Sequence, residues 1–181
     1  MFDPRLIELA GEIIRGCQAA RRQVTTAESC TGGLVAACLT EVPGASMVIE
    51  RGFVTYGNRA KQDLLGVSAD LLEARGAVCE EVARAMAEGA LSRADADFAI
   101  AITGIAGPGG GSRTRPVGLV HMAAAGRGAP THHRRHVFGG DRSAIRLASV
   151  EAALTLLRDC VDQAGSDEDS ERTLDGRDCG P

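Results

Sequence analysis

Residues 23–40 read QVTTAESCTGGLVAACLT, and this run decides the fold. Gln23 to Ala27 is rich in β-branched residues, Glu28 to Gly33 is polar and ends in two glycines, and the stretch from about Gly32 to Thr40 is small and apolar before Pro43-Gly44 stops it. β-Branched side chains favour a strand and the small residues suit a helix, so strand, turn and helix follow in order. A turn of that kind leaves backbone N–H groups unpaired where the helix dipole favours negative charge.

The pattern extends in both directions. Upstream, Leu6, Ile7, Ala10, Ile13, Ile14 and Cys17 share one face of a helix over residues 4–20, with Asp3 as N-cap and Pro4 at the first helical position. Downstream, Met47 to Tyr56 is expected to be a strand bent near Gly52, and Asn58 to cap a short helix carrying Lys61 and Leu65. Ser68 caps a second short helix that Gly76 ends, and residues 79–94 form a third. Asp97 to Thr103 is an apolar strand running into the glycine-rich GIAGPGGGSRTRPVG. Two late strands, Val117 to Ala125 and His132 to Phe138, meet at a turn over 126–130, and Asp141 caps a long helix to about Gln163. This alternation predicts an α/β fold, a three-layer α/β/α sandwich with a mixed sheet in a single domain over residues 1–164. Residues 165–181, polar and short of apolar anchors, are expected to be a disordered tail.

At 181 residues the chain can bury a core without disulfides or a structural metal. No run of about 18 apolar residues is present, so neither a membrane span nor a signal peptide is expected, and the cytoplasm is the expected compartment. The net charge of −4 and scattered basic residues speak against nucleic acid. The densest basic cluster, His132 to His136, reads as a polar edge strand. Six cysteines without a C-x-x-C pair read as reduced thiols, with no metal and no cofactor called for.

One count is sharper than the rest. Nineteen of the twenty Lys and Arg residues are arginine; Lys61 is the only lysine and Tyr56 the only tyrosine. A chain so biased towards arginine has use for a lysine where an amine must lose its proton, which a guanidinium does not do; an ordinary exposed helix lysine is the plain alternative. Ser29, at the strand-to-helix turn, suits a nucleophile, with the amides of Cys30, Thr31, Gly32 and Gly33 facing an oxyanion. Taken alone, that segment reads more simply as an N-cap at Ser29 or Thr31 with the glycines in a tight turn. Cys30 is a competing nucleophile. A serine hydroxyl needs a base, and Lys61 serves once burial lowers its pKa, with Tyr56 relaying or orienting the proton. All four histidines fall on the late strands. The loop from Thr103 through Gly104, Gly107, Gly109 and Gly110 to Gly111 can present N–H groups to a phosphate or carboxylate. It lacks the Gly-Lys-Ser/Thr ending of an NTP-binding loop and the dinucleotide-binding spacing.

Taken together, TAESCTGGLVAACLTEVPGAS, VTYGNRAKQDLLGV, GAVCEEVARAMAEGA, AITGIAGPGGGSRTRPVGLV and FGGDRSAIRLASVEAAL resemble the CinA C-terminal domain family over roughly residues 5–160. Stand-alone members of that family are nicotinamide-nucleotide amidohydrolases, also called nicotinamide mononucleotide deamidases. The resemblance implies hydrolysis of the carboxamide of nicotinamide mononucleotide to nicotinic acid mononucleotide and ammonia, a step in pyridine nucleotide recycling. It carries Ser29 over as nucleophile, Lys61 as base and Tyr56 as assisting hydroxyl. It makes the Thr103 to Gly111 loop and Arg142 contacts for the ribose phosphate, and it implies no metal. Two positions depart from the family pattern: Arg115 stands where a lysine is usual, and Arg51-Gly52 where Gly-Gly is common. The larger N-terminal domain of full-length CinA proteins has no counterpart in this sequence, and its activity is not carried over. A homo-oligomer with a small nucleotide substrate is expected. The reading from a different class is a non-catalytic nucleotide- or partner-binding module related to competence and DNA-damage proteins.

Overall fold

The computed structural model describes residues 2–175, with side chains over 2–166. The chain runs α1 (Pro4–Ala20), β1 (Val24–Glu28), α2 (Leu34–Thr40), a 3-10 turn (Ala45–Met47), β2 (Ile49–Val54), α3 (Asn58–Leu65), α4 (Ala69–Arg75), α5 (Glu80–Arg93), β3 (Phe98–Gly104), β4 (Leu119–Gly126), β5 (His132–Val137) and α6 (Arg142–Asp175). Five strands form one sheet in the order β2-β1-β3-β4-β5. β1 lies parallel to both β2 and β3, whereas β4 and β5 are antiparallel additions. The result is a mixed sheet with helices on both faces.

Strand alternation sorts the core by size. In β3 and β4, Phe98, Ile100, Ile102, Val120 and Met122 point towards the layer of α1 and α6. Ala99, Ala101, Ala123 and Ala125 point to the other face, where α5 brings Val82, Ala83, Met86 and Ala87. Period-two alternation puts bulk on one side and leaves the other open to a close helix.

Most expected starts and stops hold. Asp3 accepts the Arg5 amide (2.9 Å) with Pro4 opening α1, Ser68 accepts the Leu71 amide (3.4 Å) at α4, and Asp141 accepts the Ala144 amide (2.9 Å) at α6. Asn58 does not cap α3. Gly57 does, because its extended backbone turns its carbonyl to the Lys61 amide (3.2 Å), leaving Asn58 as the first helical residue. The irregularity in β2 lies at Glu50, since Val24 pairs with Ile49 and Thr25 with Arg51. At Gly52, where a bend was expected, the constraint is space: a Cβ would sit 2.8 Å from the Thr26 hydroxyl and 3.4 Å from Ala36 Cβ. The final helix passes Gln163 and continues to Asp175, because the polar residues there include no proline and an established helix adds one hydrogen bond per residue. The expected tail from 165 overlaps those last turns; side chains beyond Ser166, and residues 176–181 with Cys179, lie outside the described residues. The cluster His132 to His136 forms the edge strand β5. Among the described residues no helix is long and apolar enough to cross a membrane.

Candidate active site

Ser29 follows the last residue of β1, a strand whose five side chains are all buried. Its amide still donates to the Ile102 carbonyl of β3 (2.9 Å), so the sheet fixes where the turn begins. The Gly32 amide returns to the Ser29 carbonyl (3.1 Å), and Gly33, at φ 97°, swings the chain into α2 in a conformation that favours glycine. The first turn of α2 takes its acceptor from a residue before the turn. Glu28, 0% exposed, accepts the amides of Gly33 (3.0 Å), Val35 (3.1 Å) and Ala36 (2.9 Å). A carboxylate there satisfies orphan N–H groups and the helix dipole together, so Ser29 and Thr31 are relieved of the N-cap role.

Lys61 reaches this turn from α3. Its Nζ lies 3.1 Å from Ser29 Oγ and donates to the carbonyls of Thr55 (2.8 Å) and Tyr56 (3.4 Å). The side chain is 1% exposed, and burial pushes its pKa below the ordinary 10.5, with the nearby Cys30 acting weakly the other way. Two backbone carbonyls thus fix the Nζ, and the Ser29 hydroxyl oxygen is its third acceptor.

The opposite wall comes from the loop after β3. Thr103 donates its hydroxyl to the Ala77 carbonyl (2.8 Å), and the loop is pinned at Ile105, whose amide donates to Leu119 (2.9 Å) and whose carbonyl receives Gly118 (2.8 Å). Gly107 takes φ 79°, and its carbonyl receives Arg142 (2.7 Å). Among the described residues the Gly109 and Gly110 amides donate no hydrogen bond. Arg142 also donates to the Tyr56 hydroxyl (2.7 Å). A cation in the first turn of α6 opposes the helix dipole, so what it holds explains its place.

These parts enclose a cavity of about 280 Å³. Ser29, Cys30, Tyr56, Lys61, Thr103, Gly104, Gly107, Gly109, Gly110 and Arg142 line it, together with Ala77, Val78, Ile105 and Ala106. Thr31, Gly32 and Gly33 are not on its wall, because the turn carries them behind Ser29 and two of their amides are taken by Glu28 and the Ser29 carbonyl. The Tyr56 hydroxyl meets Arg142 rather than Ser29 or Lys61, and the side chain is 59% exposed at the rim. Two residues were not anticipated, Glu28 and Arg146. The Arg146 guanidinium donates to the carbonyls of Cys30 (3.1 Å) and Thr31 (2.7 Å). Its four-residue spacing from Arg142, which puts both on one face of α6, is the signal that was available.

The sequence model of the CinA C-terminal domain family matches residues 6–161. The chain belongs to the CinA C-terminal domain family. It is 48% identical over 162 residues to the nicotinamide-nucleotide amidohydrolase PncC of Enterobacter agglomerans, covering 89% of this chain and 99% of that protein. A CinA-like protein of Akkermansia muciniphila is 50% identical over 145 residues, but the chain spans only 35% of that longer protein. The crystal structure of the competence/damage inducible protein CihA from Agrobacterium tumefaciens superposes with a TM-score of 0.87 at 49% identity, over 90% of this chain and 98% of that one.

In this CinA domain the competing nucleophile is not activated. Burial pushes the Cys30 thiol up to about 11, although the amides of Cys30 and Thr31 act to lower it. No histidine lines the cavity. His121 pairs in register with Thr103 but shares a hydrogen bond with His133 (3.0 Å) instead. Arg115, one of the two departures from the family pattern, turns to the Arg75 carbonyl at the end of α4 (2.5 Å) and away from the cavity. Arg51, the other, pairs with Glu50 (2.5 Å).

Proposed function

We propose that this CinA domain is a nicotinamide-nucleotide amidohydrolase that converts nicotinamide mononucleotide and water into nicotinic acid mononucleotide and ammonia. The observation that carries the proposal is the buried Lys61 Nζ at 3.1 Å from Ser29 Oγ, held by two backbone carbonyls and without an ion-pair partner among the described residues. The similarity to PncC of Enterobacter agglomerans over nearly the whole of both chains supports the substrate class.

In this reading Ser29 Oγ attacks the carboxamide carbon as its proton passes to the Lys61 lone pair, and the carbonyl π electrons move onto oxygen. Collapse of that intermediate breaks the C–N bond, and the amide nitrogen leaves as ammonia with the proton from Lys61. Water then attacks the acyl-Ser29 ester, giving its proton to Lys61; the acid departs as Ser29 recovers its hydrogen. Tyr56 assists indirectly, through a carbonyl that holds Lys61 and a hydroxyl that holds Arg142. The Gly109 and Gly110 amides and Arg142 receive the ribose phosphate. A cytoplasmic homo-oligomer working without nucleic acid belongs to the same proposal.

The test is ammonia release from nicotinamide mononucleotide by wild type, Lys61→Arg and Ser29→Ala, with circular dichroism as folding control. Wild type is expected to release ammonia, and the folded Lys61→Arg protein to lose about 100-fold or more, since charge is kept and proton acceptance is not. Wild-type turnover in Lys61→Arg removes the base, and in Ser29→Ala the nucleophile. Tight nucleotide binding without ammonia release by wild type favours a non-catalytic binding module.

A further inference from the structure

The candidate nucleophile has a second hydroxyl as its neighbour across the sheet. β1 and β3 run parallel with Glu28 opposite Ile102. The next step of that ladder, in which the Ser29 amide donates to the Ile102 carbonyl (2.9 Å), sets Ser29 opposite Thr103. Ala27 and Ala101, two residues back, face α5, so alternation turns both hydroxyl side chains to that same face, on strands about 4.8 Å apart. Both residues line the cavity, and Thr103 is only 1% exposed. The Thr103 hydroxyl lies 2.8 Å from the Ala77 carbonyl, which can only accept, so its one proton is committed there. Among the described residues no donor reaches Thr103 Oγ1. What remains on that oxygen is lone pairs, and a substrate group that meets it must bring a hydrogen of its own.

We propose that Thr103 is a specificity-determining residue for hydrolysis at Ser29: its Oγ1 accepts a hydrogen bond from the nitrogen of the scissile carboxamide, so the site selects an amide NH2 over groups that only accept. The inference rests on the reading of this site as a Ser29 amidohydrolase. A carboxamide carbon bonded to Ser29 Oγ holds its nitrogen one bond away, and the gap to the next strand leaves room for one N–H···O bond to Thr103. When the C–N bond breaks and the nitrogen takes the proton from Lys61, the departing ammonia still donates to the same oxygen. The incoming water donates there in turn while its other proton passes to Lys61. The product carboxylate has no hydrogen to offer, and Thr103 can serve it only by giving up the Ala77 carbonyl, which costs the pairing of a buried acceptor.

The test compares kcat/KM for nicotinamide mononucleotide and for the methyl ester of nicotinic acid mononucleotide, which yields the same acid but carries no N–H. It uses the full chain as wild type, Thr103→Val and Thr103→Ser. The amide-to-ester ratio is expected to fall about 10-fold or more in Thr103→Val, because only the amide has a hydrogen bond to lose, and to return in Thr103→Ser. A merely structural role, in which Thr103 only pins Ala77, would slow both substrates together, weaken binding of the product acid and leave the ratio intact. An unchanged ratio in folded Thr103→Val would overturn the proposal. Should that variant fail to fold, the same ratio in Thr103→Cys decides, since a thiol is a weak acceptor. A folded wild type that releases no ammonia removes the amidohydrolase reading and this inference with it, whereas ammonia release with an unchanged ratio removes this inference alone.

Discussion

At the scale of a residue, the single lysine of the chain sits where a lysine is hardest to keep charged. Lys61 is buried beside a serine, with carbonyls and no carboxylate around it. Its folded-state pKa lies below 10.5, so between that lowered value and 10.5 the unfolded chain binds the extra proton and stability rises with pH. Below the lowered value the whole cost of burying the charge is present. Lys61→Met should therefore raise the melting temperature relative to wild type most at neutral pH, with the advantage shrinking as pH approaches 10.5. Thermal melts of both proteins across that range check this, and an advantage that grows towards alkaline pH would contradict it. Lys61 stood out as a candidate in the sequence because it is the only lysine of the chain. Glu28 did not, because a carboxylate directed at backbone amides leaves no partner residue at a telling spacing, and Arg146 offered only its four-residue spacing from Arg142.

At the scale of an element, α3 can present Lys61 because its end is seated tightly on α5. A Cβ on Gly89 would lie 2.0 Å from the Leu65 carbonyl, the last of α3, and Arg93 one turn later donates to that same carbonyl (3.0 Å). Gly89→Ala would gain about 1 kcal/mol of helix propensity. Overpacking of this kind costs about 1–3 kcal/mol and pushes α3 outward, so a net loss is expected, with kcat falling along with stability. Urea denaturation with parallel turnover measures both, and a stabilised, fully active Gly89→Ala would refute the close seating. The helix itself was legible from residues 79–94, but the glycine on its inner face gave no hint of which neighbour requires it.

At the scale of the whole molecule, one sheet separates a bulky core from a shallow one. Ile100→Ala opens a cavity under α1 and α6 and should cost about 2–5 kcal/mol. Ala101→Val, one residue on and facing α5, should cost about 1–3 kcal/mol through overpacking. Urea midpoints of the two variants test the contrast; a neutral Ala101→Val would mean that α5 has room to spare. The alternation of strands and helices, the helix caps at Asp3, Ser68 and Asp141, and the candidates Ser29 and Lys61 could be read from the chain, because periodicity, capping chemistry and composition are local properties. Only the tertiary structure decided the strand order β2-β1-β3-β4-β5, the removal of Thr31, Gly32 and Gly33 from the cavity wall, and the pairing of Tyr56 with Arg142 across 86 positions. Those depend on which distant backbone groups compete for the same donors and acceptors, and that competition exists only once the sheet has brought them together.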